Sequence, residues 1–220
     1  MKITIICSDK NHPIIKFLAQ WKDDNLKNHD IQIVTSKNEI KSGDILFLIS
    51  CTEIIESDIR NRFSKTLVIH ESDLPKGRGW SPISWLILEG KEEIPITLLE
   101  AIDKVDAGPI WKKCFVKLEG HELFDEISKK VYTEKIKLID FAIGNFGRIT
   151  HYQQDDSEAT YYPRRVPNDH EIDVKESISE QFEKLRISDK NRYPCFFYFR
   201  DHKYKIFLEK MDDEDSSRTD

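Results

Sequence analysis

The stretch Thr66-Leu67-Val68-Ile69-His70 is an apolar run that predicts a β-strand ending on a histidine. Three more apolar runs precede it, at residues 3–7, 31–34 and 45–50. The first run is continuously apolar, which is typical of a strand buried on both faces of a parallel sheet. Helical patterns occur at 14–21 and 54–63. The resulting β-α-β-β-α-β order predicts an α/β fold with a Rossmann-like, open and mostly parallel sheet.

The rest of the chain predicts helices at 83–89, 123–146 and 178–185, and strands at 94–101, 109–118, 195–199 and 204–208. A short hairpin through 200–203 would join the last two strands. Composition shifts near His151, where a polar stretch begins. We therefore predict one domain at 1–150, a short C-terminal α+β extension at 151–210, and a disordered charged tail at 211–220.

The 220-residue chain has a net charge of −6 at pH 7, which argues against a nucleic-acid partner, although a local basic patch stays open. The four cysteines are far apart and show no CxxC spacing, so neither a disulfide framework nor a metal site is expected. The chain begins directly as a strand, with no signal peptide, and no apolar run approaches the roughly 20 residues that cross a bilayer. We expect a cytoplasmic protein without a membrane partner.

His70 is a candidate site residue, because ligands of open α/β sheets bind beyond the carboxyl ends of the strands. Residues 70–79 read His-x-Ser-x-Leu-Pro-Lys-x-Arg-Gly, and Asp106-Ala107-Gly108 forms a turn after a later strand. The first pattern closely resembles the hallmark of the folate-dependent formyltransferases, usually Asn-x-His-x-Ser-x-Leu-Pro followed by Arg-Gly and Pro. The Asp-x-Gly turn resembles the second signature of that family. The resemblance covers roughly residues 1–150 and continues through 160–165, a segment similar to one in sugar formyltransferases.

The resemblance implies formyl transfer from 10-formyltetrahydrofolate, in a catalytic domain at 1–150, with His70, Asp106 and Ser72 as catalytic residues. The residue types suit this chemistry. An amine that attacks the formyl carbon gives a tetrahedral intermediate, whose oxyanion a histidine can stabilise. A carboxylate can orient the imidazole and accept the proton that the amine loses. In isolation, the two polar residues have a simpler interpretation, a histidine that caps a strand and an aspartate that sets a turn.

Val68 stands two positions before the histidine, where the family has an asparagine, so one oxyanion donor is missing from its usual place. Ser72, Asp73 or a backbone amide of the glycine-rich loop is a candidate replacement, and loss of activity is the alternative. A valine followed by this loop resembles the nucleotide-sugar N-formyltransferase branch, in particular the UDP-amino-sugar enzyme of the pseudaminic-acid pathway. The implied acceptor is the amine of a nucleotide-linked amino-deoxy sugar.

The resemblance and the residue types together give two sets of ligand contacts. For the folate, the candidates are Ser50, Cys51, Ile54, Asp103, Val105 and Gly108. For the sugar nucleotide, they are a flexible basic loop of Lys76, Gly77, Arg78, Gly79 and Trp80, the segment with Tyr161, Tyr162, Arg164 and Arg165, and the later Arg186 and Tyr193. Tyrosines stack on nucleobases, and arginines bind diphosphates in bidentate fashion. The alternatives are a solvated loop and a linker packed across the sheet. Trp85, at helical spacing, is interpreted as a core residue.

Related activities agree less well with the sequence. The methionyl-tRNA formyltransferases carry a larger, basic C-terminal barrel, for which the residues after His151 leave little room. Glycinamide ribonucleotide transformylase has the asparagine and lacks the Tyr-Tyr-Pro-Arg-Arg segment. A non-catalytic folate- or nucleotide-binding relative stays open because of Val68. The apolar helix at 123–146 and the aromatic C-terminal strands are compatible with a homodimer.

Overall fold

A computed structural model describes residues 1–211, and its elements follow the alternating order that the sequence predicts. In chain order they are β1 (Lys2–Ile6), α1 (Ile14–Asn25), β2 (Asp30–Val34), β3 (Gly43–Leu48), α2 (Ser57–Arg60), β4 (Phe63–His70), β5 (Arg78–Gly79), α3 (Pro82–Leu88), β6 (Glu93–Glu100), β7 (Ile110–Lys117), α4 (Phe124–Gly144), β8 (Tyr161–Tyr162), α5 (Phe182–Arg186), β9 (Cys195–Phe199) and β10 (His202–Ile206).

Six of the strands form one twisted sheet in the order β2-β1-β3-β4-β6-β7. The first four strands of this order are parallel to each other, while β6 runs antiparallel to both β4 and β7. The prediction of an open, mostly parallel α/β sheet is therefore confirmed. His70 is the last residue of β4, which places it at the carboxyl edge of the parallel strands.

The core lies mainly on one face of the sheet, between the strands and the helices α1 and α4. Strand residues such as Ile5, Phe47 and Leu67 have no exposed surface, because neighbouring strands and covering helices surround them on every side. Trp21 of α1 donates a hydrogen bond from Nε1 to Asp140 of α4 (2.7 Å), which fixes the two helices side by side. Burial of the apolar runs on both faces explains why they lack the alternation of a half-exposed strand.

Several predicted boundaries were wrong. The helix predicted at 54–63 is only Ser57–Arg60, because β4 already begins at Phe63 and the preceding residues form a loop. The helix predicted at 178–185 is the short Phe182–Arg186. The second hairpin strand begins at His202 rather than at residue 204, because the turn consists of only two residues. Arg200 (φ 48°) and Asp201 (φ 61°) adopt the left-handed conformation that two-residue hairpin turns require.

The polar stretch after His151 is not a free linker. Tyr152 pairs with Ile110 of β7 through two backbone hydrogen bonds, and β8 pairs in parallel with β5. The boundary at 150/151 stays a prediction. Residues 212–220 lie outside the described residues, and with them nearly all of the predicted tail at 211–220. Within residues 1–211, the helices are all too short or too polar to cross a membrane.

Glu122 connects the start of α4 to the C-terminal extension, and its side chain is only 2% exposed. Its carboxylate accepts backbone hydrogen bonds from Glu119 (3.0 Å) and Gly120 (3.1 Å), and it contacts Lys130 (2.5 Å) and Arg186 of α5 (3.7 Å). Burial acts to raise the pKa of Glu122, but the hydrogen bonds from Lys130 and from the backbone outweigh it and lower the pKa to about 2. The folded protein therefore holds this carboxylate in its ionised form.

The free energy of unfolding should fall as the pH drops from about 4.5 to about 2, because the unfolded carboxyl, with its ordinary pKa of 4.5, binds a proton before the folded one does. Above this range the depressed pKa contributes about 2–3 kcal/mol of stability. Urea unfolding at a series of pH values should show a weaker slope for Glu122→Gln than for the parent. The exposed Glu119→Gln is the matched control, and equal slopes in all three proteins would contradict the assignment.

Candidate active site

His70 and Asp106 meet at the carboxyl edge of the sheet. The Nδ1 atom of His70 lies 3.7 Å from Oδ1 of Asp106, and the two side chains are only 9% and 8% exposed. The Nε2 atom of His70 lies 3.0 Å from the carbonyl oxygen of Gly77. Because a carbonyl oxygen only accepts, Nε2 carries a proton and donates it there, which turns Nδ1 towards the carboxylate. The two members of the predicted catalytic pair, 36 residues apart in the sequence, are thus brought together.

Asp106 sits in an unusual turn that holds its carboxylate in place. Its φ angle is 55°, in the left-handed region that side chains rarely adopt. The Oδ2 atom accepts a hydrogen bond from the backbone N–H of Gly79 (3.0 Å). At Gly108, a Cβ atom would lie 1.8 Å from the carbonyl oxygen of Glu100, so only glycine fits. Sterics therefore require the glycine of the Asp-x-Gly pattern. The turn that this glycine permits sets the direction in which the Asp106 side chain points.

Ser72 is the candidate whose polar atom has no partner. Its side chain is buried, and within residues 1–211 its hydroxyl makes no hydrogen bond. Val68, in place of the expected asparagine, packs against Leu74, Leu99 and Ile110, so this position offers no polar atom. Asp73 is paired with Lys113 of β7 (2.6 Å). Among the side chains proposed to replace the asparagine, Ser72 is the one with an unused donor.

The loop at 76–80 differs from the prediction of a flexible basic loop, and from the alternative of a solvated one. Arg78 has no exposed side-chain surface. Its guanidinium donates to Gln154 (2.7 Å), to Asp156 (2.7 Å) and to the hydroxyl of Tyr161 (3.3 Å). The assignment of Arg78 as a ligand contact was wrong, because the side chain is fully buried and both terminal nitrogens have internal partners, while Nε has none within residues 1–211. Internal contacts of Arg78 tie the loop to the segment at 154–161, and its outer residues Lys76 and Trp80 are exposed.

Tyr162 packs against this loop rather than pointing freely into solvent. Its ring stacks on Trp85 at 6.0 Å, and its hydroxyl donates to Glu89 (3.0 Å). Burial, with the neighbouring Glu89 carboxylate, raises the pKa of Tyr162 to about 12. Trp85 donates from Nε1 to the carbonyl oxygen of Pro163 (3.0 Å), so the interpretation of Trp85 as a core residue was wrong. The indole instead fixes the start of the C-terminal extension.

The folate candidates lie on two loops that Arg60 holds together. Arg60 donates to the carbonyl oxygen of Ile55 (2.5 Å) and pairs with the carboxylate of Asp103. Ile54, on the first loop, and Val105, on the second, expose their apolar side chains. The other candidates lie close by in the chain: Ser50 follows β3 in a left-handed conformation, Cys51 accepts a hydrogen bond from Ser8, and Gly108 lines the Asp106 turn.

Arg186 does not face a ligand site. It is 2% exposed, and its Nε donates to Glu183 (2.6 Å) while a terminal nitrogen reaches the carbonyl oxygen of Glu122 (3.3 Å). The assignment of Arg186 as a ligand contact was therefore wrong. Its sequence position, just before the polar run at 188–192, gave no sign that the guanidinium would turn inwards.

A cavity of about 750 Å³ lies on the C-terminal extension. It is lined by cationic side chains and rings, namely Arg164, Arg165, Arg192, Lys203, Lys205, His170, Tyr193 and Phe196. Three of these residues, Arg164, Arg165 and Tyr193, were predicted as ligand contacts. Arg192 was also considered as a contributor, whereas His170, Phe196, Lys203 and Lys205 were not, because the hairpin β9–β10 and the loops meet only in the folded chain. Lys203 and Lys205 alternate along one strand, a signal that could have indicated a shared basic face.

A series of residue contacts links the lining of the cavity to the pair of His70 and Asp106. Arg164 lies over the ring of Trp80 at 4.8 Å, and Trp80 follows Gly79, which donates to Asp106. On its other side, Arg192 pairs with Asp9 (2.7 Å), which lies just beyond the carboxyl end of β1. Two lining residues of the cavity therefore contact Trp80 and Asp9, which follow segments at the carboxyl edge of the sheet.

Comparison with known proteins agrees with the fold described above. The sequence model of the formyl transferase family matches residues 38–142, a segment that includes both His70 and Asp106. Over this segment the chain is similar to the formyl transferase family. A methionyl-tRNA formyltransferase from Pelagibacter ubique is 28% identical over 174 residues, which are 76% of this chain and 55% of that protein. The chain spans about half the length of this curated relative of the family.

Solved structures of formyl transferases share the fold at lower sequence identity. A methionyl-tRNA formyltransferase from Clostridium thermocellum superposes with a TM-score of 0.82 at 23% identity, over 97% of this chain and 94% of the other. HypX from Aquifex aeolicus, in complex with tetrahydrofolic acid, gives 0.80 at 19% identity, over 94% of this chain and 37% of HypX. A sugar N-formyltransferase from a Shewanella species gives 0.71 at 16% identity, over 96% and 99% of the two chains.

Replacing Arg186 by Met should destabilise the protein by about 2 kcal/mol, the usual cost of losing hydrogen bonds between buried charged groups. Urea unfolding measures the effect. The exposed Arg148→Met is the control and should change the stability by less than about 0.5 kcal/mol. Parental stability together with weakened binding of a nucleoside diphosphate would instead restore Arg186 as a ligand contact.

Proposed function

We propose that the protein transfers a formyl group from 10-formyltetrahydrofolate to the amine of a nucleotide-linked amino-deoxy sugar. The observation that carries this proposal is the buried pair of His70 and Asp106, 3.7 Å apart at the carboxyl edge of the sheet. The family assignment of residues 38–142 supports the reaction class. The proposals for the folate donor and for the acceptor are each supported by separate observations.

The chemistry proceeds from the residues that meet at this edge. The acceptor amine attacks the formyl carbon, and the C=O bond becomes a C–O⁻ bond in a tetrahedral intermediate. His70 stabilises the oxyanion as a cation or as a hydrogen-bond donor, in a site that excludes most water. Asp106 accepts the proton that the amine loses, directly or through a water molecule. Collapse of the intermediate breaks the bond to the folate nitrogen, which takes up a proton and leaves as tetrahydrofolate.

The two loops tied by Arg60 suit a folate. Their exposed apolar side chains, Ile54, Ile102 and Val105, offer surface to a flat ring system, and the backbone groups beside them can bind its polar edge. The tetrahydrofolic acid complex of HypX, a structure with the same fold, supports this choice of donor. Ser72 is the proposed replacement for the donor that Val68 lacks, because its buried hydroxyl has no partner among the described residues.

The basic cavity suits an acceptor that carries a diphosphate and a nucleobase. Its five cationic side chains can bind phosphate oxygens, and the rings of His170 and Tyr193, stacked at 6.1 Å, leave an aromatic face for a base. The sugar N-formyltransferase structure with the same fold supports this acceptor class. A UDP-linked sugar, as in the pseudaminic-acid pathway, is the specific form we propose. The protein would then act in the cytoplasm, and a homodimer stays a prediction.

A second candidate acceptor is methionyl-tRNA. Several curated relatives, such as the Pelagibacter ubique protein at 28% identity, are methionyl-tRNA formyltransferases. A net charge of −6 makes a polyanionic acceptor less suitable than a small nucleotide sugar. Release of tetrahydrofolate, assayed with a panel of UDP- and dTDP-linked amino sugars and with methionyl-tRNA, separates the two candidates. Turnover with methionyl-tRNA alone would overturn the sugar proposal.

Replacing either member of the catalytic pair should abolish most of the activity. His70→Gln and Asp106→Asn should each lower kcat about 100- to 1,000-fold, because each removes a group that acts only in the transition state. Steady-state kinetics of formyl transfer measures the effect. The exposed His121→Gln is the control and should retain parental kcat. Full turnover in a protein that lacks both groups would refute the mechanism.

The cavity makes a separate prediction about acceptor binding. Lys205→Ala should raise the KM for the sugar nucleotide about tenfold, the usual effect of losing one charge-assisted hydrogen bond, while kcat and the KM for the folate stay unchanged. Lys175→Ala removes an exposed lysine outside the cavity and is the matched control. An unchanged KM in Lys205→Ala and Lys203→Ala would show that the acceptor binds elsewhere.

A further inference from the structure

Residues 152–162 form a strap that crosses the site loops and is anchored at both ends. At the first end, Tyr152 exchanges two backbone hydrogen bonds with Ile110 (2.8 and 3.1 Å). At the other end, Tyr161–Tyr162 pairs in parallel with Arg78–Gly79. The strap therefore contacts the chain a few residues after each member of the catalytic pair.

Gln154 is the residue of the strap that reaches the Asp106 turn. Its Nε2 atom donates to the carbonyl oxygens of Asp106 (2.9 Å) and Gly108 (2.7 Å), and its Oε1 atom accepts from Arg78 (2.7 Å). A neutral amide is the side-chain group that supplies two donors and an acceptor together. The side chain of Gln154 thus satisfies two converging carbonyl groups and one buried cation.

The Asp106 turn needs such support because its conformation is strained. Asp106 has a φ of 55°, and Gly108 lies against the backbone of Glu100 without room for a Cβ atom. A residue other than glycine is unfavourable in the left-handed region and persists there only where its surroundings hold it. The carboxylate direction, and with it the 3.7 Å approach to His70, depends on this conformation.

The same network also reaches the His70 side of the pair. Arg78, which Gln154 contacts, donates its backbone N–H to Thr160 of the strap (2.9 Å), and the N–H of Gly77 donates to the Thr160 hydroxyl (2.8 Å). The carbonyl oxygen of Gly77 is the acceptor for Nε2 of His70. One set of hydrogen bonds therefore fixes the rotation of the imidazole and the direction of the carboxylate.

We propose that Gln154 is a positioning residue for formyl transfer, which holds the Asp106 turn so that its carboxylate faces His70. Gln154 acts through the backbone of Asp106 and Gly108 and through Arg78, and it does not itself touch the reacting atoms. This assignment rests on the proposed function. It also makes the C-terminal extension a structural part of the catalytic centre, beyond its contact with the acceptor.

The test is Gln154→Glu, which keeps the size of the side chain and its contact with Arg78 but removes both donors. We expect kcat to fall about 10- to 100-fold with the KM values for folate and acceptor within twofold, because a displacement of about 1 Å at the reacting groups has this effect. Gln153→Glu adds the same charge at the neighbouring exposed position and should behave as the parent. If Gln154→Glu does not fold, Gln154→Met provides the same comparison without the charge.

A kcat for Gln154→Glu within twofold of the Gln153→Glu value would overturn the proposal. A raised KM with unchanged kcat would also overturn it, since that result would make Gln154 a substrate contact. Amide hydrogen exchange gives a readout that does not depend on activity. Exchange at residues 104–110 should accelerate at least tenfold in Gln154→Glu and not in Gln153→Glu. If the parent transfers no formyl group, the proposed function fails, whereas equal exchange in both variants refutes the role of Gln154.

Discussion

The guanidinium of Arg78 has no exposed surface, and a buried charge is tolerated only when polar and charged partners surround it. Its partners Gln154, Asp156 and Tyr161 all belong to the strap at 152–162. The hydrogen bonds to Tyr161 and Asp156 outweigh the effect of burial and raise the pKa of Arg78. The loop after β4 and the C-terminal extension are therefore held together by the need to neutralise one cation. Separation of the two would leave that cation unpaired.

This constraint explains how a site can form from residues that lie far apart in the chain. Strand β4 places His70 at its end, and the turn before β7 places Asp106. Neither element sets the orientation of the side chain that the other carries. The strap contacts both loops, and Lys104, beside the Asp106 turn, pairs with the same Asp156 that Arg78 contacts. The distance between imidazole and carboxylate is thus set by a third segment. That segment then continues into Arg164 and Arg165 of the basic cavity, so this cavity and the pair of His70 and Asp106 share one support.

Much of the fold could be predicted from the sequence, because strands and long helices depend on local patterns. The apolar runs at 3–7, 45–50 and 66–70 predicted buried strands, and burial on both faces of the sheet confirmed them. The catalytic pair could also be predicted, since a histidine at a strand end and an Asp-x-Gly turn are local features. The bounds of α2 could not, because Ile54 and Ile55 continue the apolar helical pattern of Ile59 but lie in the loop that precedes Ser57. The prediction for Arg78 failed in a similar way, since the sequence gives its charge but not its partners.

The sequence by itself determined which segments become strands and long helices, and it placed His70 at a strand end and Asp106 in an Asp-x-Gly turn. These features follow from hydrophobic periodicity and backbone sterics, which act over a few residues. Only the tertiary structure decided that Arg78 and Arg186 turn inwards, that Trp85 supports Tyr162, and that Gln154 braces the Asp106 turn. Whether a polar side chain is buried depends on the partners that distant parts of the chain place beside it, and no local sequence pattern specifies those partners.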